Sequence, residues 1–274
     1  MVELRETSTR PTAALPVAAE PLTAQITTYR SIWISDFHLG TVRCKSRELL
    51  TFLRTHWADN LFLVGDIIDC WNVGPAWHWD RFQTAVVEEI WAWRRRGARI
   101  VVLPGNHDEN RADLVRALFG PVECIPSAVH RTAVGLRMLV IHGHQFDGAS
   151  HPARWLSAMG GGAYSTALKV NLWYNRERNL SSTLDGALRR LRRFLKTHVH
   201  RLVDFDHQRA YGAARKRKVD GVICGHTHRP EFRAMGPLLY VNDGDWVQSQ
   251  TALVEKADGS LRLLGPDLGV LAVG

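Results

Sequence analysis

RSIWISDFHLG, residues 30–40, sets the reading of the whole chain: an apolar run of strand character ends on two metal-binding side chain types, Asp36 and His38. Four further stretches repeat that design. LFLVG (61–65) leads to Asp66 and Asp69, and RIVVLPG (99–105) leads to Asn106, His107 and Asp108. RMLVIHG (137–143) carries His142 and continues to His144, and DGVICG (220–225) is followed by His226 and His228. Runs of this length and residue type read as strands. The first of them alternate with helical spacing from Ser46 to Trp57 and from Arg81 to Arg96. Later, FRAMGPLLYVNDGDW (232–246) and QTALVEKADGSLRLLG (250–265) read as strand-turn-strand hairpins, which predicts mixed rather than purely parallel sheets. The expected class is α/β, as a two-sheet mixed β sandwich flanked by helices.

Outside this rhythm lie two segments. Residues 1–27 are rich in Pro, Ala and Thr without apolar periodicity and read as a disordered leader ahead of one domain over 28–274. Residues 150–218 hold no good strand and read as a helical lid inserted into that domain. Leu184, Leu188, Leu191, Leu195 and Leu202 form an apolar stripe there, while Arg189, Arg190, Arg192, Arg193 and Lys196 cover other faces. From Gly148 to Lys218 the chain has 15 Lys and Arg against 4 acids, so +11 of charge sits in this segment, the whole chain being +8. Such a concentration implies an anionic partner: a phosphorylated substrate, an anionic membrane surface or nucleic acid.

The 274 residues suit one catalytic domain with an embellishment. Cys44, Cys70, Cys124 and Cys224 have no paired spacing, which argues against a disulfide framework or zinc ribbon and fits a reducing cytoplasm. No apolar run has the length of a membrane span, and the start of the chain lacks a signal-peptide pattern.

Each polar cluster taken singly has an ordinary explanation, since an Asp after a strand often caps a helix and an Asn often fills a turn. Five clusters at the ends of five strand runs are different, because open sheets gather ligands outside the carboxyl ends of their strands. Asp36 and His38 lie two residues apart, as do His226 and His228, a spacing that turns both side chains of an extended chain to one side. Carboxylate, imidazole and amide oxygen form a mixed set suited to Mn, Fe or Zn.

The order D-x-H, G-D-x-x-D, G-N-H-D, H-G-H, G-H-T-H resembles the calcineurin-like metallophosphoesterase family, from Asp36 to His228. That resemblance implies the metallo-dependent phosphatase fold and two divalent ions. Asp36, His38 and His228 would hold one ion, Asn106, His142 and His226 the other, and Asp66 would bridge them. His107 would face the scissile phosphate, with Asp108 orienting it, and Asp69 would support the ligand shell. Two such ions about 4 Å apart make an activated water at neutral pH and neutralise phosphoryl oxygens, and His107 would serve the leaving oxygen.

GHTHRP (225–230), YVNDGDWV (240–247), TALVE (251–255), HGHQFD (142–147) and the Arg-rich insertion are similar to UDP-2,3-diacylglucosamine diphosphatases, in a branch with His107 where the best-known members have arginine. This implies a nucleotide-lipid diphosphate substrate of lipid A synthesis, manganese, and a cytoplasmic enzyme peripheral at the inner membrane face. Arg189 and Arg193 would meet the diphosphate and Trp173 an acyl chain, or the same residues are a solvated face and lid packing. Trp71, Trp77 and Trp79 either border the pocket or belong to the core. A general phosphodiesterase or phosphatase of the same fold is the alternative, as is a nuclease, although the Arg-rich helix offers little for base stacking. A scaffold relative that has lost catalysis is disfavoured, because no ligand position is missing.

Overall fold

The computed structural model describes residues 26–72, 77–146, 207–266 and 269–273. The leader, except its last two residues, and the inserted segment up to residue 206 lie outside them, with Trp173, Arg189 and Arg193.

A seven-stranded sheet has the order β12-β11-β10-β1-β2-β3-β4. Its strands are β1 (Thr27–Ile34), β2 (His56–Val64), β3 (Arg99–Leu103), β4 (Glu123–Cys124), β10 (Ala252–Glu255), β11 (Leu261–Leu264) and β12 (Val270–Val273). β1 to β4 run parallel, and β10 joins β1 antiparallel, as β11 and β12 follow in turn. A five-stranded sheet, β5-β6-β7-β9-β8, is built from Ala128–Arg131, Arg137–Val140, Gly221–Cys224, Leu238–Asn242 and Glu231–Met235. Within it β6, β7 and β9 are parallel while β5 and β8 are antiparallel edges.

Strand alternation sorts side chains into layers. Ile32, Ile34, Leu61, Leu63, Ile100 and Val102 face one way, onto helices α1 (Ser46–Thr55), α2 (Arg81–Arg95) and α3 (Ala112–Phe119) through Leu49, Leu53, Ile90, Trp93 and Val115. Trp33, Phe62, Val64, Val101 and Leu103 face the other way and meet Met138, Val140, Ile223 and Val241 of the second sheet. A helix over residues 207–217, α4, packs Ala210 and Ala214 on that sheet's outer face, against Leu139, Val222 and Tyr240. Helix, sheet, sheet, helix is the expected sandwich. Among the described residues no helix is long and apolar enough to cross a membrane.

Two boundaries differ from the expectation. α1 stops at Thr55, and His56 and Trp57 already belong to β2, which starts five residues before the LFLVG run. The cause is the extended backbone of His56, whose Nδ1 also contacts the Phe52 carbonyl at 3.0 Å. α3, β4, β5 and β12 had no counterpart in the sequence reading.

Glu255 clasps the two sheets. Its carboxylate, fully buried on β10, accepts from Arg30 Nη1 of β1 at 2.7 and 2.9 Å, from His130 of β5 at 2.7 Å, and from the Ala133 amide at 2.8 Å. Burial works against its charge, but these donors outweigh it and hold the carboxyl below the usual glutamate range. Glu255→Ala should therefore cost about 3 kcal/mol in urea unfolding, the low end for a broken buried pair because Arg30 keeps 35% of its side chain exposed. A carboxyl depressed in the folded state contributes stability above its unfolded pKa and loses it as pH falls through the folded value. The gap between wild type and variant should accordingly narrow in acid.

Candidate active site

Where β1, β2, β3, β6 and β7 end, their loops interlock through backbone bonds. The Asp36 amide donates to the Gly65 carbonyl and the His38 amide to the Asp66 carbonyl, each at 3.0 Å, and Gly225 N donates to His142 O at 2.9 Å. Carboxylates tie further loops. Asp36 Oδ2 accepts from the His226 amide at 2.8 Å, and Asp66 Oδ1 accepts from the His107 amide at 2.9 Å. Each central aspartate thus spends one oxygen on the amide of another loop.

The backbone here is held in conformations that side-chain-bearing residues avoid. Asp36, His38, Asp66, His226 and His228 all have φ between 47° and 69°. Each such residue costs about 1–3 kcal/mol, and surrounding structure must impose it. At Gly225 there is no room for any side chain, since a Cβ would collide with Ser35 Oγ and Asp36 Oδ2.

The result is a set of ligand atoms aimed at common points. Asp36, His38 and His228 form one group, Asp66, His142 and His226 another, and His38, Asp66 and His107 a third that overlaps both, with the atoms of each group within 4.8 Å of one another. Asp36 Oδ1, Asn106 Oδ1 and His142 Nε2 are buried without a well-formed hydrogen bond, Asp36 Oδ1 lying 3.2 Å from His228 Nε2 and His142 Nε2 3.5 Å from Asp66 Oδ1. Orphan buried polar atoms are costly, and of the eight among the described residues these three belong to the predicted ligand set. His142 Nδ1 donates to the Val64 carbonyl at 2.8 Å, which orients the ring and turns Nε2 toward the cluster. The donors therefore fit divalent cations.

Electrostatics agree. Burial opposes ionisation of Asp36, yet His228 and His142 hold its carboxyl at about 2, and Asp66 lies well below the ordinary range because His142, His107 and His38 surround it. Burial pushes His38 down to about 4, leaving a neutral donor. Burial opposes protonation of His142 too, but Asp66 and Asp36 outweigh it and lift the imidazole to about 10. Protons occupy this field where cations would displace them.

His107 sits beside the cluster, with Nε2 3.7 Å from Asp66 Oδ2. Its Nδ1 lies 3.0 Å from Asp69 Oδ1, so the carboxylate that orients it is Asp69, where the sequence reading placed Asp108. Asp108 instead turns inward and accepts from Ile67 N, Ile68 N and Gly105 N, stapling the second loop to the third. Burial, with the neighbouring charge of Asp66, raises that carboxyl to about 6.

Of the three undecided tryptophans, Trp71 stacks on His107 with ring centroids 3.7 Å apart. Trp77 and Trp79 stack on each other and pack against the helical core. The sequence reading also assigned nothing to several polar residues around the site. Asp243 accepts from Ser35 Oγ at 2.7 Å, Asn242 donates to Thr227 Oγ1, and Asp245 accepts from the Val247 amide and lies 3.9 Å from His228 Nδ1. His144 Nε2 lies 3.1 Å from Glu109 Oε2. The signal for the first three was a polar run, NDGD, directly after an apolar strand, the same design as the five clusters.

Gly225→Ala should strip the protein of most bound divalent metal, read by elemental analysis, because the added methyl displaces Asp36. Gly212→Ala is the matched control: nothing lies within 4 Å of its Cβ, and on α4 it should raise stability by up to about 1 kcal/mol with metal unchanged.

Residues 29–230 match the family model described as calcineurin-like phosphoesterase. Two curated relatives named UDP-2,3-diacylglucosamine hydrolase align over nearly their full length. That from Pseudomonas paraeruginosa is 26% identical over 250 residues, covering 83% of this chain and 95% of the relative. That from Stutzerimonas stutzeri is 25% identical over 240 residues, covering 82% and 95%. Among solved structures, the E. coli phosphoesterase Yfce aligns with a TM-score of 0.45 at 16% identity, covering 89% of this chain and 97% of that one. With a family model spanning most of its length and the ligand loops inside that span, this chain belongs to the calcineurin-like phosphoesterase family.

Proposed function

We propose that this metal-dependent phosphoesterase hydrolyses a diphosphate bond in a nucleotide-lipid substrate of the UDP-2,3-diacylglucosamine type, as a peripheral cytoplasmic enzyme, with manganese as its metal. The observation that carries the hydrolytic part is the pair of ligand groups, Asp36/His38/His228 and Asp66/His142/His226, linked through His38 and Asp66 and accompanied by three orphan buried ligand atoms. Asp36, His38 and His228 would hold one ion, and Asn106, His142 and His226 the second, with Asp66 common to both. Bound there, two divalent ions supply a water activated at neutral pH and neutralise charge on the phosphoryl oxygens.

The remaining tasks fall to side chains. His107 is the group placed to serve the leaving oxygen: its Nδ1 is engaged by Asp69, so Nε2 is the nitrogen that can hand over a proton. Asp69 keeps that tautomer and favours the imidazolium, whose pKa is raised by Asp69 and Asp66 despite burial. Asp108 holds the loop that carries His107 and Asn106 against the Asp66 loop.

The substrate class rests on the two relatives' names and on the charge of the inserted segment. A diphosphate carrying acyl chains requires both cationic and apolar contacts, and residues 150–218 combine +11 of charge over 148–218 with a leucine stripe. Arg189 and Arg193 are assigned to the diphosphate and Trp173 to an acyl chain.

Chelator should abolish hydrolysis. His142→Ala should lose metal, whereas His107→Ala should keep it and lower kcat by roughly 100- to 10,000-fold, the span for a lost general acid. The reverse pattern of metal content would exchange their roles. For the substrate, replacing Arg189, Arg190, Arg192 and Arg193 together by Gln should raise KM for UDP-2,3-diacylglucosamine about tenfold more than for bis-p-nitrophenyl phosphate. Equal effects on the two would remove the lid from substrate binding.

A further inference from the structure

Trp71 is an unusual residue to find half in water. It is the middle residue of the short turn Cys70–Asn72, just after the second ligand loop, and 51% of it is exposed. Its ring nevertheless lies on the His107 imidazole at a centroid distance of 3.7 Å and an interplanar angle of 24°. His38 meets the same imidazole at 4.7 Å and 85°.

The physical problem that this contact solves is rotational. A histidine ring turns broadly about its second side-chain torsion, so one hydrogen bond does not determine its plane. The Asp69 carboxylate fixes the position of Nδ1 but leaves the ring able to swing about that bond, carrying Nε2 away from Asp66 Oδ2. A planar partner stacked on the imidazole face removes that freedom. We propose that Trp71 is a positioning residue for His107, holding the imidazole plane so that Nε2 meets the leaving oxygen. This deepens the reading of His107 as general acid and rests on it.

The step concerned is the break of the phosphorus–oxygen bond to the leaving group as an oxygen from water bonds to phosphorus. The attacking water releases a proton to solvent, the leaving oxygen takes the bonding electron pair and the proton of His107 Nε2, and the neutral imidazole regains a proton from solvent. Proton delivery matters more the more basic the leaving oxygen is. Misplacing the acid should therefore be felt according to the leaving group, whereas loss of a binding surface should not.

Bis-p-nitrophenyl phosphate and diphenyl phosphate form a suitable pair, equal in ring size and different in leaving-group basicity. With metal-loaded full-length protein, Trp71→Leu, which keeps bulk and loses the planar stack, should lower kcat for diphenyl phosphate about tenfold more than for the nitrophenyl ester. That ratio corresponds to about 1.4 kcal/mol, on the scale of one stacked aromatic pair. Trp71→Phe should restore most of it, and metal content should stay at the wild-type value in both. His107→Ala is measured beside them. If it lowers kcat equally on both esters, His107 is not the acid and the underlying reading fails. If His107→Ala discriminates between the esters and Trp71→Leu does not, the positioning role is overturned. A rise in KM for both esters with kcat unchanged would overturn it too, making the indole a surface for substrate rings. Should Trp71→Leu lose metal, the Trp71→Phe variant carries the test: kcat ratios equal to wild type support the stack, and a tenfold shift despite a retained ring refutes it.

Discussion

Two carboxylates buried among imidazoles, Asp36 and Asp66, impose the terms on which the rest of this molecule is arranged. Neither is exposed by more than 2%, and charge in such a place is tolerable only against compensating charge or directed hydrogen bonds. The protein supplies amides from other loops to one oxygen of each, which locks the loops together. The other oxygen faces histidines that share the same field. Loop packing and ligand presentation are thus one construction: Gly225 has no side chain because Asp36 occupies its space, and five side-chain-bearing residues accept left-handed backbone because the sheet ends and the amide contacts leave them no other course.

The sheets are what make so strained a rim sustainable. β1, β2 and β3 are buried on both faces, with Trp33 and Phe62 stacked between the sheets and Ile32, Leu61 and Ile100 under the helices. Rigid strands in fixed register, Ile32 beside Leu61 and Leu61 beside Ile100, deliver their loops side by side. The Glu255 clasp then sets one sheet against the other, so ligands from β6 and β7 arrive opposite those from β1 and β2.

Much of this was legible in the chain because its two strongest signals coincide. Doubly buried parallel strands read as uninterrupted apolar runs, and the residues after them are of types rarely grouped without a metal. What escaped depended on partners distant in sequence. Asp108 adjoins His107 and looked like its companion, yet it satisfies amides of the Asp66 loop, and Asp69 takes the imidazole instead. Trp71 could not be told from core because its partner, His107, comes from another strand end. The start of β2 was hidden since His56 and Trp57 continue the amphipathic pattern of α1, and only pairing with Thr27 and Thr28 converts them to strand.

The placement of α4 carries a consequence for how such proteins diversify. β6 and β7 are adjacent and parallel, so the chain that leaves the ligand edge after His142 must return to the far edge before Gly221, and α4 makes that return along the outer face. Everything between Phe146 and His207 is therefore spliced into a crossover whose two anchor points are fixed by the sheet. A lineage could exchange that stretch wholesale, in length and in chemistry, without moving a ligand or altering a strand register.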